Sequence, residues 1–234
     1  MRTKIYKKLQ SLSEEKYKNF SLKLLPKDTN LIGVRIPLIK NLAKQLIKEN
    51  TINKYLNEPL ENLIYQEEKM LYSLLIAYSK IDKNEKLQYI KNYVAHIKNW
   101  SECDTFCAAL KDVKQDQNFF FNNFYDYHKS KSEYEIRFFY VISLNYFIND
   151  KYLSSILDLI KNQKYVGFYD KMAVSWFLAT AYNKYPKLIE DFLINENLDN
   201  FILKKSINKI CDSYQVKKEA KIHLRKLASY KYQN

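Results

Sequence analysis

The sequence predicts an all-α protein arranged as a curved solenoid of antiparallel helix pairs. Apolar residues recur at helical spacing in one segment after another, and each segment ends at a short polar break. No segment alternates between apolar and polar residues as a half-buried strand does. Only two glycines and four prolines occur in 234 residues. This scarcity argues against sandwiches, barrels and glycine-rich phosphate loops, because their turns need many residues with positive φ.

The individual helices follow from the spacing of apolar residues and from the residues that interrupt it. Pro37 begins a helix, Pro59 separates two helices, and Pro186 begins another. Asp199 and Ser132 are predicted as N-caps, because a side-chain oxygen there can accept an N–H of the first turn. Helices are predicted over 3–10, 13–25, 37–49, 51–57, 61–79, 83–97, 100–113, 116–129, 133–148, 150–162, 167–185, 186–195, 199–213 and 216–228.

Consecutive helices combine into pairs with a repeat of about 30 to 40 residues, the range of two-helix solenoid repeats. We therefore predict a single HEAT-like repeat domain over 1–234. Equivalent helices of neighbouring pairs then lie side by side, and one helix of each pair lines a basic concave groove. The pairs are predicted over 61–97, 100–129, 133–162 and 167–195.

The two tryptophans of the chain mark a candidate site. Trp100 precedes Asp104 by four residues, so the indole and the carboxylate share one helix face. Arg137 and Trp176 fall on the first helices of the next two pairs, so the predicted stacking brings all four residues to one groove. Two other interpretations stay open at this point. The tryptophans could be core residues with Asp104 on the surface, and Arg137 could pair with Glu133 one turn earlier.

The net charge of +13, from 39 basic and 26 acidic residues, favours a polyanionic partner such as nucleic acid. Lysine greatly outnumbers arginine, and the chain is also rich in Asn, Ile and Tyr. This composition indicates a general bias, so part of the charge is background.

The sequence predicts no metal and no cofactor. Cys103 and Cys107 lie one helical turn apart, and Cys211 leaves the count odd, which favours core packing over disulfides. His96 lies nearby but does not complete a zinc ligand set. The N-terminal segment lacks the apolar run of a signal peptide, and no segment reaches the roughly 18 apolar residues of a membrane span. We expect a cytoplasmic monomer that does not bind membranes.

Ordered motifs in this chain resemble the AlkD-type family of DNA alkylation repair glycosylases, with similarity from about residue 30 to about residue 222. The segment Gly33–Pro37 is similar to the family's entry into its third helix. The segment Asn99–Asp104 is similar to its Trp-x-x-x-Asp motif, and Tyr134–Arg137 is similar to its aromatic-x-x-Arg motif. The segment Lys171–Trp176, with Pro186 ten residues later, resembles the next family helix. After that tryptophan the family usually has Leu-Arg-Glu, whereas this chain has Phe-Leu-Ala-Thr.

The resemblance implies a HEAT-like DNA glycosylase that excises positively charged N3- and N7-alkylated purines from duplex DNA. It implies that Asp104 is the catalytic carboxylate and that Trp100 and Trp176 are walls of the cleft. The expected partner is duplex DNA, bound chiefly through its phosphate backbone. The implied DNA contacts are Arg137 and the pair Lys204 and Lys205, which resembles a late Arg-Arg pair of the family.

Two other functions remain open from the sequence. A noncatalytic nucleic-acid-binding module could retain the cleft without turnover, and its DNA binding would weaken with salt. A HEAT-type scaffold could instead receive a protein partner in the groove.

Overall fold

The structure is a computed structural model that describes residues 2–49 and 55–231. Within these ranges it contains thirteen α-helices and three short 3₁₀ helices and no strand, which confirms the predicted all-α class. The α-helices are α1 (Arg2–Gln10), α2 (Glu15–Leu22), α3 (Ile36–Lys48), α4 (Gln66–Tyr78), α5 (Lys83–Ala95), α6 (Trp100–Ala109), α7 (Gln117–Phe124), α8 (Glu133–Tyr146), α9 (Leu153–Asn162), α10 (Phe168–Tyr182), α11 (Pro186–Asn195), α12 (Asn200–Asp212) and α13 (Lys218–Lys231). The 3₁₀ helices are Leu60–Asn62, Lys111–Lys114 and Tyr125–Lys129.

The chain divides into two compact units, Met1–Gln115 and Asp116–Asn234. In the first unit, α4 packs between α3 and α6. All but two of the α4 residues are buried, from the polar Gln66 to Ala77 near its C-terminus. A helix that is buried on nearly every side forms the centre of a core rather than one of its faces.

In the second unit, α10 packs between α8 and α12. The first helices of successive pairs thus lie side by side within each unit, as the repeat interpretation predicts. Phe138, Phe139 and Tyr140 on α8 and Phe177 on α10 are fully buried, and the Tyr140 and Phe177 rings contact each other between the two helices with centroids 6.3 Å apart. The curved groove and the single domain over 1–234 stay predictions.

Most predicted helices agree with the observed ones to within a few residues, and the largest difference lies in the segment predicted as one helix over 61–79. There a 3₁₀ turn ends at Asn62 and α4 begins only at Gln66. The Glu68 carboxylate accepts the N–H groups of Ile64 and Tyr65, 3.1 and 3.2 Å away, and holds this stretch out of the helix. The predicted helix over 51–57 lies largely outside the described residues.

The predicted helix starts depend on named residues. Pro37 occupies the first turn of α3 and Pro186 the first position of α11, as predicted. The Asp199 side chain accepts the N–H groups of Phe201 and Ile202, which confirms its N-cap role. Ser132 stands at the N-cap position of α8, but its side chain makes no cap hydrogen bond, so that part of the prediction is wrong.

The cysteines pack in the core as predicted, since Cys103 and Cys107 are fully buried and Cys211 is nearly so. None of the described helices combines the length and apolar character that crossing a membrane requires.

Candidate active site

Helix α6 carries both Trp100 and Asp104, and two side-chain hydrogen bonds stabilise its first turn. The buried Asn99 side chain caps the helix by accepting the Glu102 N–H at 3.0 Å. The Glu102 carboxylate in turn accepts the Lys98 N–H at 3.0 Å. The two contacts together fix the first turn of α6, although they do not form a capping box, because the N–H that Glu102 accepts belongs to Lys98, the residue before the N-cap.

The Asn99 side chain also connects α6 to α4, the central helix of the first unit. Its amide group donates a hydrogen bond to the side-chain oxygen of Gln66 on α4, at 3.0 Å, and both residues are buried. The start of α6 therefore has a fixed position relative to α4, because a buried polar pair is costly to separate.

Trp100 is oriented by a contact from its indole. The indole N–H donates to the carbonyl oxygen of Leu24 at 3.1 Å, across 76 residues of sequence. Trp100 and Asp104 are both half-buried. The indole is therefore not a core residue, and the first alternative interpretation is wrong for this tryptophan.

Asp104 and Trp100 line one cavity of about 270 Å³ within the first unit. Most of the wall is apolar and comes from α2, from the loop before α3 and from Met70 on α4. Its polar wall residues are Asp104 with Gln66, Glu67, Ser21, Ser101 and Thr105. A carboxylate at the edge of a largely apolar cavity acts on a bound cation more strongly than it would in open water.

The wall formed by the loop before α3 is held in place by Glu67. Its carboxylate is 2% exposed and accepts the N–H groups of Ile32, Gly33 and Val34 at 2.9, 2.7 and 3.1 Å. Val34 also lines the cavity. Glu67 therefore positions part of the wall that faces the Trp100 and Asp104 side chains.

Gly33 has a positive φ of 104°, a conformation that other L-residues rarely adopt. A Cβ at this position would lie 2.8 Å from Cβ of Lys18 and 3.0 Å from the carbonyl oxygen of Glu14. The Gly33 carbonyl also accepts the Glu14 N–H. The glycine of the Gly33–Pro37 motif is thus needed for both its conformation and its close approach to α2.

Glu102 is a second buried acid in this region. Burial raises the pKa of its carboxyl above the ordinary value, and the Lys98 N–H that it accepts opposes the rise.

Trp176 lies on α10 in the second unit and is 37% exposed, so it is not a core residue either. It lines a cavity of about 330 Å³ together with Ala179, Thr180 and Lys209. The Lys209 ammonium group lies 6.0 Å from the centroid of the indole ring. The AlkD-type family usually has Arg and Glu where this chain has Ala179 and Thr180. Smaller side chains therefore border the indole in this protein.

Arg137 on α8 is buried and donates a hydrogen bond to the carbonyl oxygen of Tyr169 at 3.0 Å. The arginine therefore connects α8 to the first turn of α10. Its predicted contact with DNA stays a prediction.

The two lysines on α12 have different surroundings. Lys204 is exposed, whereas Lys205 is half-buried with its ammonium group 5.7 Å from the centroid of the Phe201 ring. Neither lysine lines the cavity beside Trp176.

The structure therefore places Trp100 and Asp104 together in one cavity of the first unit, and it places the other predicted residues on three adjacent helices of the second unit. Within the described ranges, no group of three or more His, Cys, Asp or Glu residues could hold a metal ion. Sequence reasoning missed Glu67, Gln66 and Asn99. For Glu67 the available signal was a pair of acids in the first turn of a largely apolar helix. Asn99 begins a motif segment, but its capping role was not predicted.

Comparison with known proteins gives one match. A family model described as "DNA alkylation repair enzyme" matches residues 5–210. No curated protein and no solved structure matches the chain. The family match spans both compact units and includes every candidate residue named above. The chain therefore belongs to the DNA alkylation repair enzyme family.

Proposed function

We propose that the protein is a DNA glycosylase that removes positively charged N3- or N7-alkylated purines from duplex DNA. The observation that carries this proposal is the position of Asp104, a half-buried carboxylate on the edge of a mostly apolar cavity beside Trp100. Membership of a DNA alkylation repair family supports DNA as the substrate.

The chemistry suits a single carboxylate. Alkylation at N3 or N7 gives the purine a positive charge, so the base is a good leaving group and needs no general acid. As the glycosidic bond breaks, positive charge develops on the sugar. A carboxylate held near the anomeric carbon stabilises that oxocarbenium-like transition state and can orient the attacking water. In this proposal Asp104 has that role and requires no metal or cofactor.

The indole of Trp100 would contribute in two ways. Its face attracts a cationic sugar or base by about 0.5 to 2 kcal/mol, depending on desolvation. Its ring also excludes water from one side of Asp104, which strengthens the electrostatic interaction. We also propose a functional role for Trp176, whose indole is 37% exposed and can attract a cation by the same interaction.

DNA binding would rest on cations of the second unit. The exposed Lys204 and the half-buried Lys205 can reach phosphates as point charges. Arg137 donates to the Tyr169 carbonyl oxygen and thereby positions α10. Its contact with DNA is part of this proposal on the strength of the family resemblance.

The test is a single-turnover assay of 7-methylguanine and 3-methyladenine release from methylated duplex DNA. We expect release by the natural protein and a loss on the order of a hundredfold or more in Asp104→Asn, because the variant keeps the shape and removes the charge. Asp191→Asn is the matched control, since Asp191 is exposed on α11 and loses the same charge.

Both variants should bind undamaged duplex as the natural protein does, which separates loss of catalysis from loss of binding. Equal release by Asp104→Asn and Asp191→Asn would reject Asp104 as the catalytic group. No release by the natural protein, with salt-dependent duplex binding intact, would instead identify a noncatalytic DNA-binding module.

A further inference from the structure

Four aromatic rings form a continuous row across the first turns of three adjacent helices in the second unit. Tyr134 on α8 stacks on Tyr169 of α10 with ring centroids 5.5 Å apart. Phe168 makes edge contacts with Tyr169 at 5.2 Å and with Phe201 of α12 at 5.5 Å. We call these four residues the aromatic ledge.

The ledge is exposed although most other aromatic side chains of these helices are buried. Phe168 at its centre is 54% exposed, and the other three rings are half-buried. Val166, two residues before Phe168, is also exposed. A contiguous apolar patch on a highly charged protein marks a binding surface. The rings contact one another, so they are held in place and lose little freedom when a ligand packs on them.

One lysine contacts a ring of the ledge, and two others precede its helices in the chain. The Lys205 ammonium group lies over the Phe201 ring at one end. Lys131 and Lys164 precede α8 and α10, are exposed, and make no ion pair with any described residue. Both line a cavity of about 670 Å³ whose wall also includes Val166. The basic cavity therefore adjoins the apolar patch.

The acidic residues near the ledge are already engaged. The carboxylates of Glu133 and Asp170 accept backbone N–H groups of Tyr169 and of the loop before α10. Asp199 caps α12 and pairs with Lys171. Asp158, which lines the cavity itself, pairs with Lys161, and Glu135 accepts the Ser130 hydroxyl. Lys131 and Lys164 are therefore left to attract an anionic ligand.

We propose that the aromatic ledge stacks an unpaired base of a DNA strand whose phosphates are bound by the lysines of the adjoining cavity. Rings for base faces beside cations for the backbone are the two elements of a single-strand binding surface. A second copy of this chain fits the surface poorly, because each copy carries a net charge of +13. This inference does not depend on base excision, since it concerns undamaged DNA.

The test compares two probes of equal charge by fluorescence anisotropy: a twelve-nucleotide oligothymidylate and an abasic strand with the same number of phosphates. The natural protein should bind the oligothymidylate about tenfold more tightly, because only that probe offers bases for stacking. Phe168→Ala should remove most of this difference and leave abasic binding unchanged. The matched control is Leu188→Ala on α11, where an apolar side chain is 45% exposed.

Two further variants separate the parts of the surface. Phe168→Trp should retain the preference, and its added indole fluorescence should be quenched by the oligothymidylate but not by the abasic strand. The double variant Lys131→Gln and Lys164→Gln should weaken binding of both probes equally and lower their salt dependence. Circular dichroism and thermal melting verify that each variant is folded.

Three results would overturn the proposal. The first is equal affinity of the natural protein for the two probes. The second is a Phe168→Ala protein that behaves like Leu188→Ala. The third is self-association that Phe168→Ala abolishes while the preference for bases persists, which would make the ledge a contact between copies. A failed excision assay with a positive result here would reject only the glycosylase proposal.

Discussion

Replacing Glu67 tests whether one buried carboxylate holds the wall of the candidate active site. The carboxylate accepts three backbone N–H groups from Ile32, Gly33 and Val34, all of which are buried. One oxygen accepts from Ile32 and the other from both remaining groups. Glutamine retains a single accepting oxygen, so Glu67→Gln leaves at least one buried N–H without an acceptor and removes the charge.

The expected loss of stability follows from the hydrogen bonds that each substitution removes. A hydrogen bond to a charged group contributes about 1.5 to 3 kcal/mol, and an unsatisfied buried group costs about 1 to 3 kcal/mol. We therefore expect Glu67→Gln to lower the free energy of unfolding by about 2 kcal/mol. Glu67→Ala removes all three acceptors, and we expect a loss of about 4 kcal/mol.

The assay is equilibrium unfolding in urea at neutral pH, followed by circular dichroism. Glu85→Gln is the matched control, because Glu85 is an exposed acid in the first turn of α5 and carries the same charge. Surface substitutions of this kind change stability by about 0.5 kcal/mol or less. If Glu67→Gln falls within that range of the control, the hydrogen bonds do not stabilise the loop and the reasoning is refuted.

Three further predictions concern neighbouring features. Gly33→Ala should lower the free energy of unfolding by about 1 to 3 kcal/mol in the same assay, because alanine is strained at φ 104° and its Cβ would contact Lys18. Burial raises the pKa of Glu102 in the folded state, so stability should fall as the pH rises from the ordinary value of 4.5 through the raised one. Urea midpoints of Glu102→Gln should lack this decrease. Lys204→Gln and Lys205→Gln should each reduce the salt slope of duplex binding by about 1, as measured by anisotropy.

The helices were predictable because their signals are local. Apolar spacing and a few start residues such as Pro186 and Asp199 place most boundaries within a few residues. The segment 61–79 was predicted wrongly because its start is decided by the side chain of Glu68. That carboxylate pairs with Arg2, 66 residues away, and accepts N–H groups ahead of α4. The Arg2 contact leaves no pattern in the local sequence, and the contact ahead of α4 is local but lacks the Ser or Thr that usually marks such a helix start.

For the candidate site too, the local features were predictable from the sequence and the long-range contacts were not. Trp100 and Asp104 share a helix face, so their common cavity was predictable from a four-residue spacing. The contacts that orient them were not predictable, because Leu24 and Gln66 meet α6 only in the folded chain. The burial of Arg137 was missed for a related reason. A lone arginine in a helix has the same sequence pattern whether it faces solvent or a neighbouring carbonyl.

The proposed role of Asp104 depends on these long-range contacts. Electrostatic stabilisation of a transition state is efficient only when the charged group is already in place, since reorganisation during the reaction would offset the gain. Three separate anchors meet around the cavity: Asn99 with Gln66, the Trp100 indole with Leu24, and Glu67 with the loop before α3. All three anchors lie within the first unit. The helix that carries Asp104 and the cavity walls beside it are therefore placed when this unit folds, before a substrate binds.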